Sequence, residues 1–358
     1  SMGRISGSTA QSGCRPGDWT RLMADPDHAP NTSAGPAPVR RTNSVRRTST
    51  IDSSWPEGRS GPMIMSGNAR DALTGRDLAD CSTVATGAFE IVATMGREIR
   101  AIETIPRLPD AASLVGVRGG GQSRTAIAAQ LGAMQAIATP LHLLLDDFAG
   151  ASLVAGWAWS RWRDDWASPE GVSESARRNF PKMEGICAGF RPGATSLDEL
   201  GRPRHDIQSS ARVGSLVNPD DLAGWHPLAA QEGVGMRRAR WIDIWTDTEV
   251  IRIEAGFQDS STAPHGGRDA VHEYRVSATA DLEGMVLRSV TADPRILPYR
   301  ECPAAAENIN RLIGTPLKDF RNEVLDRFPG TLGCTHLNDV LRALADVPHL
   351  ALMLESHS

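Results

Sequence analysis

Arg46-Arg47-Thr48-Ser49-Thr50-Ile51-Asp52 and Arg237-Arg238-Ala239-Arg240-Trp241-Ile242-Asp243 carry a paired arginine and an Ile-Asp step at the same spacing. A segment that recurs in this way indicates one structural unit written twice. Four more matches follow in the same order. Asn68-Ala69-Arg70-Asp71 stands against Gly256-Phe257-Gln258-Asp259, and Phe89-Glu90-Ile91-Val92-Ala93-Thr94 against Tyr274-Arg275-Val276-Ser277-Ala278-Thr279. Leu114-Val115-Gly116 then stands against Leu312-Ile313-Gly314, and Leu141-His142-Leu143 against Thr335-His336-Leu337.

Each copy reads as strands first and helices afterwards. Val250 to Glu254, Tyr274 to Ala280 and Met285 to Thr291 alternate as half-buried strands do. Asp319 to Phe328 and Leu337 to Ala345 carry apolar residues at helical spacing, and Pro329-Gly330 stops the first of them. The expected class is α+β, two repeated units of antiparallel strands followed by helices, related by a pseudo-twofold axis. The expected boundaries are a disordered tail over 1–40, a degenerate first repeat over 41–166, a loop-rich connector covering a cleft over 167–235, and the second repeat over 236–358.

Composition narrows the partners. The 358 residues are 40% hydrophobic and 23% charged with a net charge of −5, which suits a folded protein and gives no electrostatic case for nucleic acid. Arg40, Arg41, Arg46 and Arg47 read as a solvated cluster at the edge of the tail. Five scattered cysteines with no CxxC pair argue against a disulfide framework, and no apolar run follows a basic start, so a cytoplasmic location is expected. Leu141 to Trp159 is interrupted by Asp146 and Asp147; it reads as a buried helix and not as a membrane span of about 20 residues.

Reactive side chains concentrate in the second copy: His272, Tyr299, Cys302, Cys334, Thr335 and His336. His272 and Tyr274 share one strand face and Glu273 takes the other. His336 begins a helix, where free backbone N–H groups favour negative charge, and imidazole titrates near neutral pH. Cys334 beside it raises two sharper readings, a thiolate nucleophile or a zinc site completed by Cys302 and His272, against a buried structural cysteine. Asp243 and Asp259 have counterparts in Asp52 and Asp71, which favours a structural duty such as pairing the preceding arginines. Arg118-Gly119-Gly120-Gly121-Gln122-Ser123-Arg124 reads as a flexible loop rather than a phosphate cradle, and Trp157, Trp159, Trp162 and Trp166 as core or interface.

Met236-Arg237-Arg238 to Asp243, Asp259-Ser260, Pro298-Tyr299 with Cys302-Pro303, Leu312-Ile313-Gly314 and Gly333-Cys334-Thr335-His336-Leu337 together resemble the bacterial family called domain of unknown function 2889. The resemblance covers about the last third of the chain. His272-Glu273 stands where that family usually has His-Asp. Members are often found beside genes of acyl-CoA and aromatic or terpenoid breakdown, so the resemblance implies a small, mostly apolar substrate.

The function expected is an acid/base enzyme without a cofactor, a lyase, hydratase or isomerase acting on a hydrophobic small molecule. His336, His272, Asp243, Tyr299 and Cys334 are the candidate catalytic residues, with Arg238, Arg275, Thr335 and Trp241 binding substrate and no metal assigned. A non-catalytic small-molecule-binding or regulatory module and a zinc-dependent hydrolase are the alternatives. No membrane partner is expected, and a homodimer is compatible with the sequence.

Overall fold

A computed structural model describes residues 28–130, 138–162 and 181–355. Cys14, Trp166, the tail up to residue 27 and residues 131–137 lie outside them. Nine strands form one sheet: β1 (Ser44–Ser54), β2 (Met63–Thr74), β3 (Cys81–Ala93), β4 (Ile99–Ile105), β5 (Ala211–Val213), β6 (Gly235–Asp247), β7 (Val250–Thr262), β8 (Arg268–Asp281) and β9 (Leu287–Ile296). Their order is β4-β3-β2-β1-β6-β7-β8-β5, with β9 also on β8, and every pair is antiparallel. The helices are α1 (Gly121–Gln130), α2 (Pro140–Val154), α3 (Ala158–Trp162), α4 (Phe320–Arg327), α5 (Thr335–Ala343) and α6 (Val347–Glu355). The α+β class holds, and β9 starts two residues later than the Met285 expected.

The sheet is continuous because β1 and β6 pair at its centre, with Arg46 opposite Asp243 and Asp52 opposite Arg237. Side chains alternate across each strand, so each central strand serves both faces. One face carries Arg47, Ile51, Arg238, Arg240 and Ile242, packed under α2, α5 and α6. The other carries Arg46, Thr48, Asp243 and Trp241, covered by the connector and by residues 28–43. There Trp225 and Ala37 pack on Ala239 and Trp241. His226 of the connector sits between Thr48 Oγ1 at 2.8 Å and Thr50 Oγ1 at 2.9 Å.

Two expectations about the N-terminal region are corrected by this layering. Residues 28–40 of the tail are anchored to the sheet and connector: Ser33 and the Ala34 amide donate to Glu273, and the Arg40 amide donates to Asp221 at 2.8 Å. Arg40, Arg46 and Arg47 are buried, with Arg46 and Arg47 only 1% exposed. Covering both faces of β1 leaves an arginine no route to water, so each finds a carboxylate instead. Arg40 takes Asp221, Arg46 takes Asp243, and Arg47 takes both Asp71 and Asp346. Only Arg41 of the four is exposed, its guanidinium 4.2 Å above the Trp245 ring.

The apolar stretch from Leu141 forms the buried α2, continuing through a 3-10 turn at Ala155–Trp157 into α3. Asp146 interrupts its hydrophobicity in order to meet Arg321 and Arg342, and Asp147 meets Arg240. Thr139 caps the helix by accepting the His142 amide at 3.1 Å. Thr139→Ala should lower unfolding free energy by about 1 kcal/mol, read from denaturant midpoints. Among the described residues, no helix is long and apolar enough to cross a membrane.

Burial, and then the charges of Arg321 and Arg70 respectively, push the His142 and His226 imidazoles down to about 4. In the unfolded chain each has its ordinary value of 6.5, so between these values the unfolded state binds more protons. The stability held by the neutral rings is therefore complete above 6.5 and is lost as pH falls towards 4. The unfolding free energy from urea titrations should fall across that window, by about 3 kcal/mol for each ring at its lower end. In a His226→Gln variant part of that dependence should vanish; an unchanged slope would refute the assignment.

Candidate functional site

Asp259 on β7 and His272 on β8 are directly opposed in the sheet, at a register shift that follows Asp259. His336 enters from above on the first turn of α5, which Cys334 precedes as the N-cap residue. Gly333 allows that entry, because a Cβ there would press on the Phe328 carbonyl and the Asn338 amide. Three polar groups thus meet. His272 Nδ1 lies 3.3 Å and His336 Nε2 lies 3.8 Å from Asp259 Oδ2, and the two imidazoles stack with centroids 3.4 Å apart. His272 Nδ1 is buried without a hydrogen-bond partner, the nearby carboxylate oxygen being off its axis.

Arg238 on β6 fixes the carboxylate. Its Nε donates to Asp259 Oδ1 at 2.9 Å and its Nη2 to Oδ2 at 3.0 Å, while Nη1 donates to Asp339 Oδ2 at 2.8 Å. The other oxygen of Asp339 accepts from Arg124 Nη2 at 2.5 Å. Gly150 of α2 passes so close that a Cβ would collide with Arg238 Nη1 and Asp339 Oδ2. The residue is glycine because the ion pairs occupy the space a side chain would need.

The electrostatics follow from burial and from Arg238. Burial opposes the charge of Asp259, but Arg238, helped by His272, more than offsets it and holds the carboxyl well below its usual range. Burial, then the neighbouring His272, drives the His336 imidazole well below 6.5 against the pull of Asp259. His272 is lowered too, chiefly by burial. An ionised carboxylate therefore faces two uncharged imidazoles at neutral pH. Cys334 Sγ is 3.9 Å and Thr335 Oγ1 3.4 Å from His336 Nδ1. Burial raises the Cys334 thiol above its usual value, which disfavours the thiolate that nucleophilic attack needs.

The remaining candidates divide by sheet face. Tyr299 is on the helix side but packs on Phe190, ring centroids 5.4 Å apart, and in the apolar core with Cys302. Asp243, Trp241 and Arg275 lie on the connector side, so the sheet separates them from His336. Asp243 pairs with Arg46, and Arg275 lies over the Trp241 ring at 5.0 Å and donates to the Gly35 carbonyl. Glu273 faces the same way, bonded to Ser33, Ala34 and Gln258. Cys302 is not grouped with His272 in a cluster of ligand spacing; Asp259 takes that place.

Asp259 and Asp339 are the members that sequence reading did not assign to the site. The signal for Asp259 was present in its match with Asp71, but the cross-strand partner of Asp71 is Ala85, whereas that of Asp259 is His272. The structural reading of Asp259 is met by its Arg238 pair and does not exclude a second role. A separate groove of about 780 Å³ opens beside His142, walled by Arg124, Arg321 and Arg342. The glycine run ahead of it ends in α1, whose first residue is Gly121.

A family model described as "Protein of unknown function (DUF2889)" matches residues 236–349, the part of the chain that contains the whole Asp259–His272–His336 cluster. No curated protein and no solved structure matches the chain.

Proposed function

We propose that the chain is an enzyme that moves a proton on a hydrophobic small molecule, of the lyase, hydratase or isomerase kind, with Asp259, His272 and His336 as its reaction centre. The observation that carries this reading is the meeting of two uncharged imidazoles with one carboxylate that Arg238 keeps ionised. A neutral imidazole oriented by a buried carboxylate accepts a proton and returns it. Asp259, its Oδ2 3.3 Å from His272 Nδ1, stabilises that ring electrostatically once charged, while His336, at the partly exposed helix start, supplies the second exchangeable site. The Phe257 ring, its centroid 6.3 Å from that of His336, sets an aromatic side chain beside the centre.

The full chain is incubated in deuterated water with a panel of hydrophobic enones, carbonyl compounds and acyl thioesters, and proton NMR follows deuterium entering carbon. Exchange in at least one compound, abolished in His336→Gln, is expected. Exchange that persists undiminished in that variant refutes the assignment, as does saturable binding across the panel with no exchange.

We also infer that the two halves arose by tandem duplication. The ion pairs Arg46–Asp243 and Arg237–Asp52 are exchanged counterparts across the β1–β6 junction, and Arg47–Asp71 corresponds to Arg238–Asp259. On this reading the second half kept the cross-strand histidine and with it the chemistry. A reducing, cytoplasmic setting suits Cys81, Cys187, Cys302 and Cys334, all free thiols.

A further inference from the structure

We propose that the Asp259 carboxylate and one ring nitrogen each from His272 and His336 bind a single divalent first-row transition-metal ion. The inference rests on taking this cluster as the reaction centre, and it adds an ion to it. The three donor atoms lie within 4.8 Å of one another. An ion held at about 2.0–2.2 Å by imidazole nitrogen and carboxylate oxygen needs donors roughly 3–3.5 Å apart. The carboxylate oxygen is already 3.3 Å and 3.8 Å from the two nitrogens, so small side-chain rotations that splay the stacked rings complete the set.

Two further observations point to a ligand here. His272 Nδ1 is buried with no hydrogen-bond partner, an expensive arrangement that a metal bond would relieve. Asp259 is held by Arg238, whose own charge is countered by Asp339, so the donor is oriented from outside without the cluster becoming strongly cationic. Two imidazoles and one carboxylate select zinc, iron or cobalt over magnesium and calcium, which take oxygen donors. Three protein donors leave coordination positions open, where a bound water would become the proton carrier.

The test uses full-length protein dialysed against chelator and then titrated with Zn2+ by calorimetry and with Co2+ by visible absorption. One ion per chain is expected, with a rise in thermal midpoint and a low-symmetry cobalt spectrum lacking thiolate charge transfer. His336→Ala and His272→Ala should each weaken binding by more than about 100-fold, beyond the usual effect of residues outside the donor set. His142→Ala should bind as the parent does. Circular dichroism identifies the folded variants; if His272→Ala does not fold, His336→Ala, at the partly exposed helix start, decides. No stoichiometric binding, or equal binding by the parent and His336→Ala, overturns the proposal. Absent binding with histidine-dependent proton exchange refutes the metal site and leaves the acid/base reading. Intact binding with no exchange does the reverse.

Discussion

Replacing Arg47 by Met should lower the free energy of unfolding by about 3–5 kcal/mol, a large share of the roughly 5–15 kcal/mol that folded domains possess. Arg47 is 1% exposed in the centre of the sheet. Its Nε and Nη2 each donate to Asp71 at 2.6 Å, Nη1 donates to Asp346 at 2.6 Å, and Nη2 also reaches the Ala138 carbonyl at 2.8 Å. Met is similar in length and apolar, so the change removes little packing and leaves Asp71 buried without a charged partner. Asp346 keeps Arg321 at 2.7 Å. The double variant Arg47→Met/Asp71→Leu should therefore recover at least half of the loss, since an apolar pair can replace a buried ion pair at little net cost. Urea unfolding of both variants measures this. A loss below about 1 kcal/mol in the single variant would mean that water reaches the pair.

The same ion pairs show what the sequence made legible. Two-residue alternation in Phe89 to Thr94 and Tyr274 to Ala280 marks strands because one face of each is apolar; β8 contains the second stretch whole, and β3 contains the first up to Ala93, with Thr94 just beyond its end. The expectation that Asp71 and Asp259 pair with preceding arginines is met by Arg47 and Arg238. The partners of Asp52 and Asp243 could not be read, since they lie across the β1–β6 junction and strand order is not written in local spacing. The burial of Arg46 and Arg47 was missed for a related reason: charge suggests solvent until both faces of a strand are known to be covered. Asp243 could have been set apart from Arg238, however. An odd separation along one strand places two side chains on opposite faces, and Trp241 and Arg275 are excluded from the His336 face by the same alternation.

His272→Asn should reduce proton exchange by about 100-fold to 10,000-fold, the usual contribution of a positioned acid/base group. Asn keeps some of the polarity and volume of the ring but accepts no proton near neutral pH. The loss should appear in kcat more than in KM, because the ring acts on the moving proton and not on the bulk of the substrate. His336→Gln should behave likewise, and the double variant should be little worse than either single one, since groups that act as a unit are not additive. A purely structural histidine would instead lower stability while leaving the activity of the folded fraction unchanged.

The most direct test of the reaction centre is the rate of solvent-deuterium exchange by the parent and by these two variants between about pH 5 and pH 8. Burial lowers both imidazoles from 6.5, so the parent rate should stay level as pH falls through that value and decline only below it, with both variants far slower throughout. A decline centred at or above 6.5, or exchange by folded His272→Asn and His336→Gln equal to that of the parent, would contradict the account.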